Sequence, residues 1–383
     1  MRFDAAVIGS GPAGATAARL LAQAGWSVAL IERHEFPRRK VCGEFISAAT
    51  LPILAACGVR QEFLARAGPA IRRVAVFSGN TLVEAPLPEV EAGWGRALGR
   101  EHLDVLLRNA SARVGATVMQ PAEVVALRAR EDGHQLTVRR GDAVDVIGAR
   151  IVIVACGSWN TKGPFTLNAR RQAADLFAFK AHLRGSRLAQ GLMPLLAFPG
   201  GYGGMVHSDD GRLTLSCCIR RDALARAREI HGGKAGEAVL RHVLGSTAGA
   251  RYALKGATVE EQILATGPLH PGIRARYRAG LFFVGNVAGE AHPIIAEGIS
   301  MAIQSGWLLA HHLLSSGPAA GPLYARDWMR RFAPRLRAAS VFAWLAMNDH
   351  SRTIATRLIR AYPGILTVGA RLSGKSDLRH DAA

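Results

Sequence analysis

The sequence predicts an α/β fold. A parallel sheet carrying a small β-meander is joined to a second, antiparallel sheet, and helices close the carboxyl end. Three observations predict it. Residues 3–32 read as an apolar run, a glycine-rich turn, a helical stretch and a second apolar run. An apolar run and a glycine-rich turn recur at 281–289, ahead of another long helical stretch. Between them, residues 122–155 and 166–265 alternate polar and apolar side chains around turn signals. Strands that lead through glycine turns into helices build parallel units, and alternating runs broken by turns build antiparallel ones.

The opening segment is the most specific. "FDAAVIG" is a short apolar run suited to a buried parallel strand, and "GSGPAG" sets Gly9, Gly11 and Gly14 at G-x-G-x-x-G spacing, with Pro12 and Ala13 between. "ATAARLLAQAG" continues as a helix stopped by Gly25, and "WSVALIE" is a second strand ending on Glu32. Each glycine has a physical task. Gly9 makes the tight turn, Gly11 lets a diphosphate approach the backbone, and Gly14 lets helix pack close to strand. The helix start offers free N–H groups and a positive dipole end. Glu32 stands 18 residues beyond Gly14, where a carboxylate accepts hydrogen bonds from a ribose diol. This is the pattern of a Rossmann-like dinucleotide-binding unit.

Further elements follow in order. Residues 122–155, with "EDG" and "RRGD" turns, read as an antiparallel meander feeding a strand at 150–155. "LFAFKAHLR", "LMPLLAFPGGYGGMVHS" and "RLTLSCCIRR" read as strands of one antiparallel sheet, with "SDDG" a hairpin turn and a helical insertion near 222–247. A strand at Leu281–Val284 leads through Gly285 and Asn286 to Pro293 and a long helix from about Gly298. Residues 320–375 read as helices around Pro334 and Pro363. No internal repeat and no Ser/Gly linker divides the chain.

Composition narrows the function classes. Aromatic content is 6%, too sparse for a surface built on base stacking, so nucleic acid is not an expected partner. The net charge of +19 is spread along the chain, densest in "RDWMRRFAPRLR" (326–337). It suits an anionic cofactor, or contact with an acidic surface such as a membrane leaflet or a carrier protein. Five cysteines (42, 57, 156, 217 and 218) form no CxxC pair and no metal-ligand spacing, so no metal is expected and reduced thiols in a cytoplasmic protein are. The chain opens directly into a strand-like run, which leaves no room for a signal peptide, and no 18-residue apolar stretch offers a membrane span.

The second glycine turn, "GNVAGEAHPIIAEG", resembles the FAD-closing segment of the flavoprotein monooxygenase and geranylgeranyl reductase superfamily, which has the glutathione-reductase type of FAD fold. There a "GDAAG" strand end is followed by a proline loop and a helix that closes over the flavin. Asn286 stands in place of the Asp that binds the ribityl chain; it keeps a hydrogen-bonding oxygen and loses the charge. A helix start at Gly298 and Ile299 would direct N–H groups and a dipole end at the charge of the reduced flavin. "RHEFPRRKVCGEFIS" (33–47) resembles the loop in which Arg/Lys and a "CG" pair lie beside the cofactor, which implies roles for Arg33, Lys40, Cys42 and Gly43. "GREHLDVLLRNA" (99–110) resembles the R-x-x-L-D-x-x-L helix and implies that Arg100 contacts the FAD phosphates. In "ARIVIVACGSWN" (149–160), Cys156 replaces the Asp of the second motif, which puts direct NAD(P)H docking in question.

The resemblance implies FAD as cofactor, with NAD(P)H as the electron donor. It also implies a division into an FAD-binding domain (1–75, 97–165 and 266–319), a substrate domain (76–96 and 166–265) and a carboxyl-terminal helical segment (320–383). Flavin carries the redox chemistry, so no catalytic triad is needed. His292, before Pro293, is a candidate acid/base or substrate-orienting group, and Glu297 a candidate for polarising a substrate hydroxyl. Tyr202, among four glycines in "PGGYGGMV", offers a phenol where a ligand could approach a strand closely. The favoured reading is a monooxygenase acting with dioxygen on an apolar or aromatic small molecule. The alternatives are a prenyl double-bond reductase of geranylgeranyl reductase type and a non-catalytic flavin-binding electron carrier. The "Y-x-W-x-F-P" signature of prenyl reductases and the "W-x-W-x-I-P" of flavin halogenases are both absent.

Overall fold

The computed structural model describes residues 1–157 and 172–372. The end of the "ARIVIVACGSWN" motif, the first residues of the expected substrate domain and residues 373–383 lie outside the described residues.

The fold is mixed α/β, with the parallel sheet, meander and second sheet that the sequence predicts. In the first sheet the strands run in the order Tyr277–Arg278, Leu281–Phe283, Ala143–Val154, Arg2–Ile8, Val28–Ile31 and Thr117–Met119. The last five of these pair in parallel, and Ile8, Ile31 and Val154 stand level with one another. The loops that follow these strands therefore emerge along one edge, the carboxyl edge where open α/β sheets place their ligands. The strands Glu123–Arg130 and Gly133–Arg140 complete the meander and join Ala143–Val154 antiparallel.

The first strand buries Ala5, Ala6, Val7 and Ile8 in succession, because packed elements, helices and the meander among them, cover the sheet. One of these helices is Pro12–Gln23. It packs on the long helix Gly298–Ser316 at a contact where a Cβ on Gly306 would lie 2.2 Å from the Ala13 carbonyl oxygen. The two ends of the chain are joined through this small-residue contact.

The second sheet runs Thr258–Val259, Leu176–Arg184, Leu213–Arg220, Gly201–His207, Leu192–Phe198, Arg73–Ser78 and Thr81–Pro86, with Leu264–Leu269 also paired to Leu176–Arg184. It is antiparallel except where Arg73–Ser78 pairs in parallel with Leu192–Phe198. Parallel neighbours need a long crossover, and this one runs from 79 to 191 through the helix Arg100–Arg113 and the whole meander. Arg73–Ser78 straddles the expected boundary at 75/76, and its hydrogen bonds tie it to the second sheet. The "SDDG" turn is present, with Asp210 at φ 54°, and the helical insertion comprises Arg221–His231, Ala235–Ser246 and Ala248–Ala253.

The carboxyl-terminal segment departs from expectation at Pro334. Helix Gly321–Met347 runs through it without ending. The proline costs the helix one internal hydrogen bond and a steric clash. Burial of Trp328, Phe332, Leu336 and Tyr324 against the core, with the Tyr324 hydroxyl donating to the Phe283 carbonyl (2.7 Å), outweighs that cost. Helices Asp349–Ala361 and Gly364–Leu372 follow, divided at Pro363. No described helix is long and apolar enough to cross a membrane.

Candidate functional site

The first glycine turn is shaped by what its residues lack. Gly9 has φ 108°, and a Cβ there would lie 2.5 Å from the Ala155 carbonyl oxygen. A Cβ on Gly14 would lie 2.0 Å from the Gly9 oxygen, so Gly14 serves close packing beneath the turn. Gly11 differs. The nearest atom to its missing Cβ is Arg100 Nη2 at 3.7 Å, and its open side faces a cavity of about 630 Å³. Gly9, Gly11, Pro12 and Ala13 line that cavity. Beside them the buried Ser10 hydroxyl has no hydrogen-bond partner.

Glu32 is buried at the end of its strand. Its carboxylate accepts hydrogen bonds from the backbone N–H groups of Ser10 and His34 (both 3.0 Å), and Arg38 lies 3.5 Å away. The turn and the carboxylate are thus held in fixed relation. Arg33, Arg38, Lys40, Cys42, Gly43 and Arg100 line the same part of the cavity. Arg100 is buried and doubly hydrogen-bonded to Asp104 (2.7 Å each), which keeps its guanidinium charged and oriented. Burial, with the charges of Arg100 and Arg38, pulls the Lys40 ammonium down to about 8. A second anion-seeking feature is the Arg38 Nε, buried and unpartnered.

The second glycine turn reaches the same place. Gly285 and Asn286 follow the strand Leu281–Phe283, and a Cβ on Gly285 would lie 3.0 Å from that of Ala13. Only the strand Ala143–Val154 separates their two parent strands in the sheet. Gly298 and Ile299, at the start of the long helix, line the cavity too. Glu297 sits differently from its expected position facing a substrate. It is fully buried, does not line the cavity, and accepts a hydrogen bond from the Ser47 hydroxyl (3.1 Å).

From these turns the cavity continues over one face of the second sheet, past Val76, Ala178, Met193, Leu195 and Val206, to the helices after residue 340. Polar groups on this wall are few. Tyr202, almost fully buried, places its hydroxyl 3.2 Å from His292 Nδ1 and against the Cys218 thiol. His292 stands behind the lining, and burial pulls its imidazole down to about 4, so it is neutral at physiological pH. A neutral ring accepting at Nδ1 carries its proton on Nε2.

One cluster was not foreseen. Lys180, His182 and Thr214 all hydrogen-bond the carboxylate of Glu44, which lines the cavity two residues after Cys42. Lys180 and Glu44 are completely buried. Burial alone would raise the carboxyl, but the hydrogen bond from His182 and the charge of Lys180 hold it at about 2. Glu44 also accepts from the Arg100 backbone N–H (3.3 Å) and adopts φ 63°. The signal was present in "FAFKAHLR", where two basic residues at i and i+2 interrupt an apolar strand. Nearby, Arg212 bridges Asp209 and Glu101. Each group of acidic side chains is therefore matched by a cation, which makes them ion-pair networks.

The residues fit a flavin dinucleotide. The turn leaves space at Gly11, Arg100 and Lys40 border that space with positive charge, and the Glu32 carboxylate is held in fixed relation to the turn. Comparisons with known proteins agree. Residues 2–175 match the FAD binding domain family. The chain is 25% identical to the menaquinone reductase of Mycolicibacterium smegmatis over 100% of its length and 93% of that protein. In fold it is similar to the myxobacterial chondrochloren halogenase CndH, an FAD-dependent halogenase (TM-score 0.78, 22% identity, 97% of this chain and 91% of that one). It is also similar to Pseudomonas aeruginosa PqsL in complex with 2-aminobenzoylacetate (TM-score 0.71, 17% identity, 98% and 99%).

Proposed function

We propose that this chain, whose residues 2–175 match the FAD binding domain family, is an FAD-dependent oxidoreductase of the monooxygenase and reductase superfamily and that it hydroxylates an apolar small molecule bearing an aromatic ring. In this reading Gly9, Gly11, Pro12, Ala13 and the Ser10 hydroxyl receive the FAD diphosphate, with Gly14 packing beneath them. Glu32 holds the ribose, and Arg33, Lys40, Cys42, Gly43 and Arg100 flank the cofactor. Gly285 and Asn286 meet its ribityl chain, and Gly298 and Ile299 its ring. When bound, FAD would supply the redox chemistry, the transfer of an electron pair from NAD(P)H to dioxygen. One oxygen atom enters the substrate and the other leaves as water, with NAD(P)H and one proton consumed.

The observation that carries the reading is the Tyr202–His292 pair on an otherwise apolar wall. The Tyr202 hydroxyl donates to neutral His292, which makes the phenol oxygen a better acceptor for a substrate hydroxyl. The same pair fixes the orientation of a substrate hydroxyl against the flavin side of the chamber. Apolar side chains of the second sheet hold the rest of the substrate and exclude water, which strengthens each polar contact. PqsL, with its aromatic carbonyl ligand, supports an aromatic ring in this chamber.

Turnover under isotopically labelled dioxygen tests the proposal. A product carrying one labelled oxygen, with NAD(P)H and dioxygen consumed one to one, is expected. Substrate reduction under argon, with no oxygen incorporated, would replace this reading by the second one, saturation of a prenyl double bond. The similarity to a menaquinone reductase favours that second reading, as does the length of the apolar chamber.

A further inference from the structure

We propose that the three carboxyl-terminal helices form a surface that seats the protein on an anionic lipid bilayer, from which the substrate enters the cavity behind them; this rests on the reading of that cavity as a substrate chamber.

Helix Asp349–Ala361 divides cleanly into two faces. Arg352, Ala355, Thr356 and Ile359 line the cavity. Thr353, Ile354, Arg357, Leu358 and Ala361 are exposed. The spacing of three and four residues on each side is that of one helix acting as a wall between chamber and exterior. The neighbouring helices repeat the pattern. Leu345 and Ala346 face in while Val341 and Trp344 face out, and Leu366 and Ala370 face in while Val368 faces out.

The outer face is apolar where a face meeting only water would be polar. Val341, Trp344, Ile354, Leu358, Tyr362 and Val368 are each between 50% and 66% exposed. Of the eighteen exposed large apolar side chains among the described residues, eight fall within 341–372, on three consecutive helices. Two of the six named are aromatic with a polar edge, the side chains suited to the headgroup level of a bilayer.

Charge selects the occupant. Residues 321–372 hold nine arginines against two aspartates. Arg357 and Arg360 stand exposed beside Leu358. An apolar face flanked by arginine favours anionic headgroups over a second copy of the same cationic surface. The chamber lies directly behind this face, so an apolar compound dissolved in the bilayer would have only this layer of helices between it and the cavity.

The test is co-sedimentation of the FAD-loaded protein with vesicles of phosphatidylglycerol and phosphatidylcholine, or of phosphatidylcholine alone. Binding to the anionic vesicles, weakened by salt, is expected. The double variant Ile354→Glu/Leu358→Glu should lose at least tenfold in vesicle affinity while keeping its FAD absorbance and its circular dichroism. No binding to anionic vesicles at low ionic strength overturns the proposal, as does a double variant that binds like the parent. Light scattering that finds a dimer dissociated by the double variant assigns the face to a second copy and overturns it too. So does an acidic carrier protein bound by this face in place of vesicles. Vesicle binding is read without turnover, so it stands or falls separately from the identity of the reaction.

Discussion

Lys180 donates to the Glu44 carboxylate with neither side chain exposed to solvent, and this pair fastens the loop that carries Cys42 and Gly43 to the second sheet. Lys180→Met should destabilise the protein by about 3–5 kcal/mol, because it leaves a carboxylate buried without its cation. Urea unfolding measures this, and a loss under about 1 kcal/mol would contradict the role. Glu44 titrates at about 2, against an ordinary value of 4.5. Its contribution is therefore fully present above pH 4.5 and is lost as pH falls towards 2.

Gly11 and Gly14 should fail in different ways. Gly11→Val fills the space beside Arg100 without meeting the backbone, so the variant should fold and lose FAD. Gly14→Val drives a side chain into the Gly9 carbonyl, so it should not fold. Circular dichroism and flavin absorbance together separate the two outcomes. A folded Gly11→Val that keeps full FAD would refute the placement of the diphosphate.

Glu32→Ala should weaken FAD binding by roughly 1–3 kcal/mol, the scale of a lost charge-assisted hydrogen bond. It also frees the Ser10 and His34 N–H groups that the carboxylate now holds. Fluorescence titration of the apoprotein reads the change, and an unaltered dissociation constant would exclude Glu32 from the ribose site.

Lys40 makes FAD binding depend on pH. Its ammonium is held at about 8 by burial and by Arg100 and Arg38. An anionic diphosphate favours the protonated form, so above pH 8 binding requires proton uptake and affinity should fall as pH rises. Calorimetry in two buffers of different ionisation enthalpy measures the uptake. Lys40→Met should abolish it, and a slope that survives the substitution would assign it to another group.

Tyr202→Phe removes the polar end of the chamber wall and leaves its shape. FAD content should be unchanged while kcat/KM falls about 10²-fold, the scale of about 1–3 kcal/mol for a buried polar group left without its partner. The parent profile should show no inflection from His292 between pH 5 and 8, since its imidazole titrates near 4. Full activity in Tyr202→Phe would remove the pair from the reaction.

Much of this molecule was legible in one dimension. The turn at Gly9–Gly14 follows from spacing alone, since only residues without side chains allow those approaches. The meander, the turn at Asp209–Gly211 and the helix from Gly298 follow from alternation and punctuation. Pro334 misled because a local rule yields to the burial of Trp328 and Phe332, which no local rule contains.

The sequence by itself determined the dinucleotide-type turn, the succession of strand, helix and strand around it and the family resemblance, because these rest on residues close in the chain. Only the tertiary structure decided that Glu297 turns towards Ser47, that Glu44 meets Lys180 across 136 positions, and that the last helices wall the chamber. Those relations depend on how two sheets stack, and packing between distant segments leaves no periodic trace in the order of the residues.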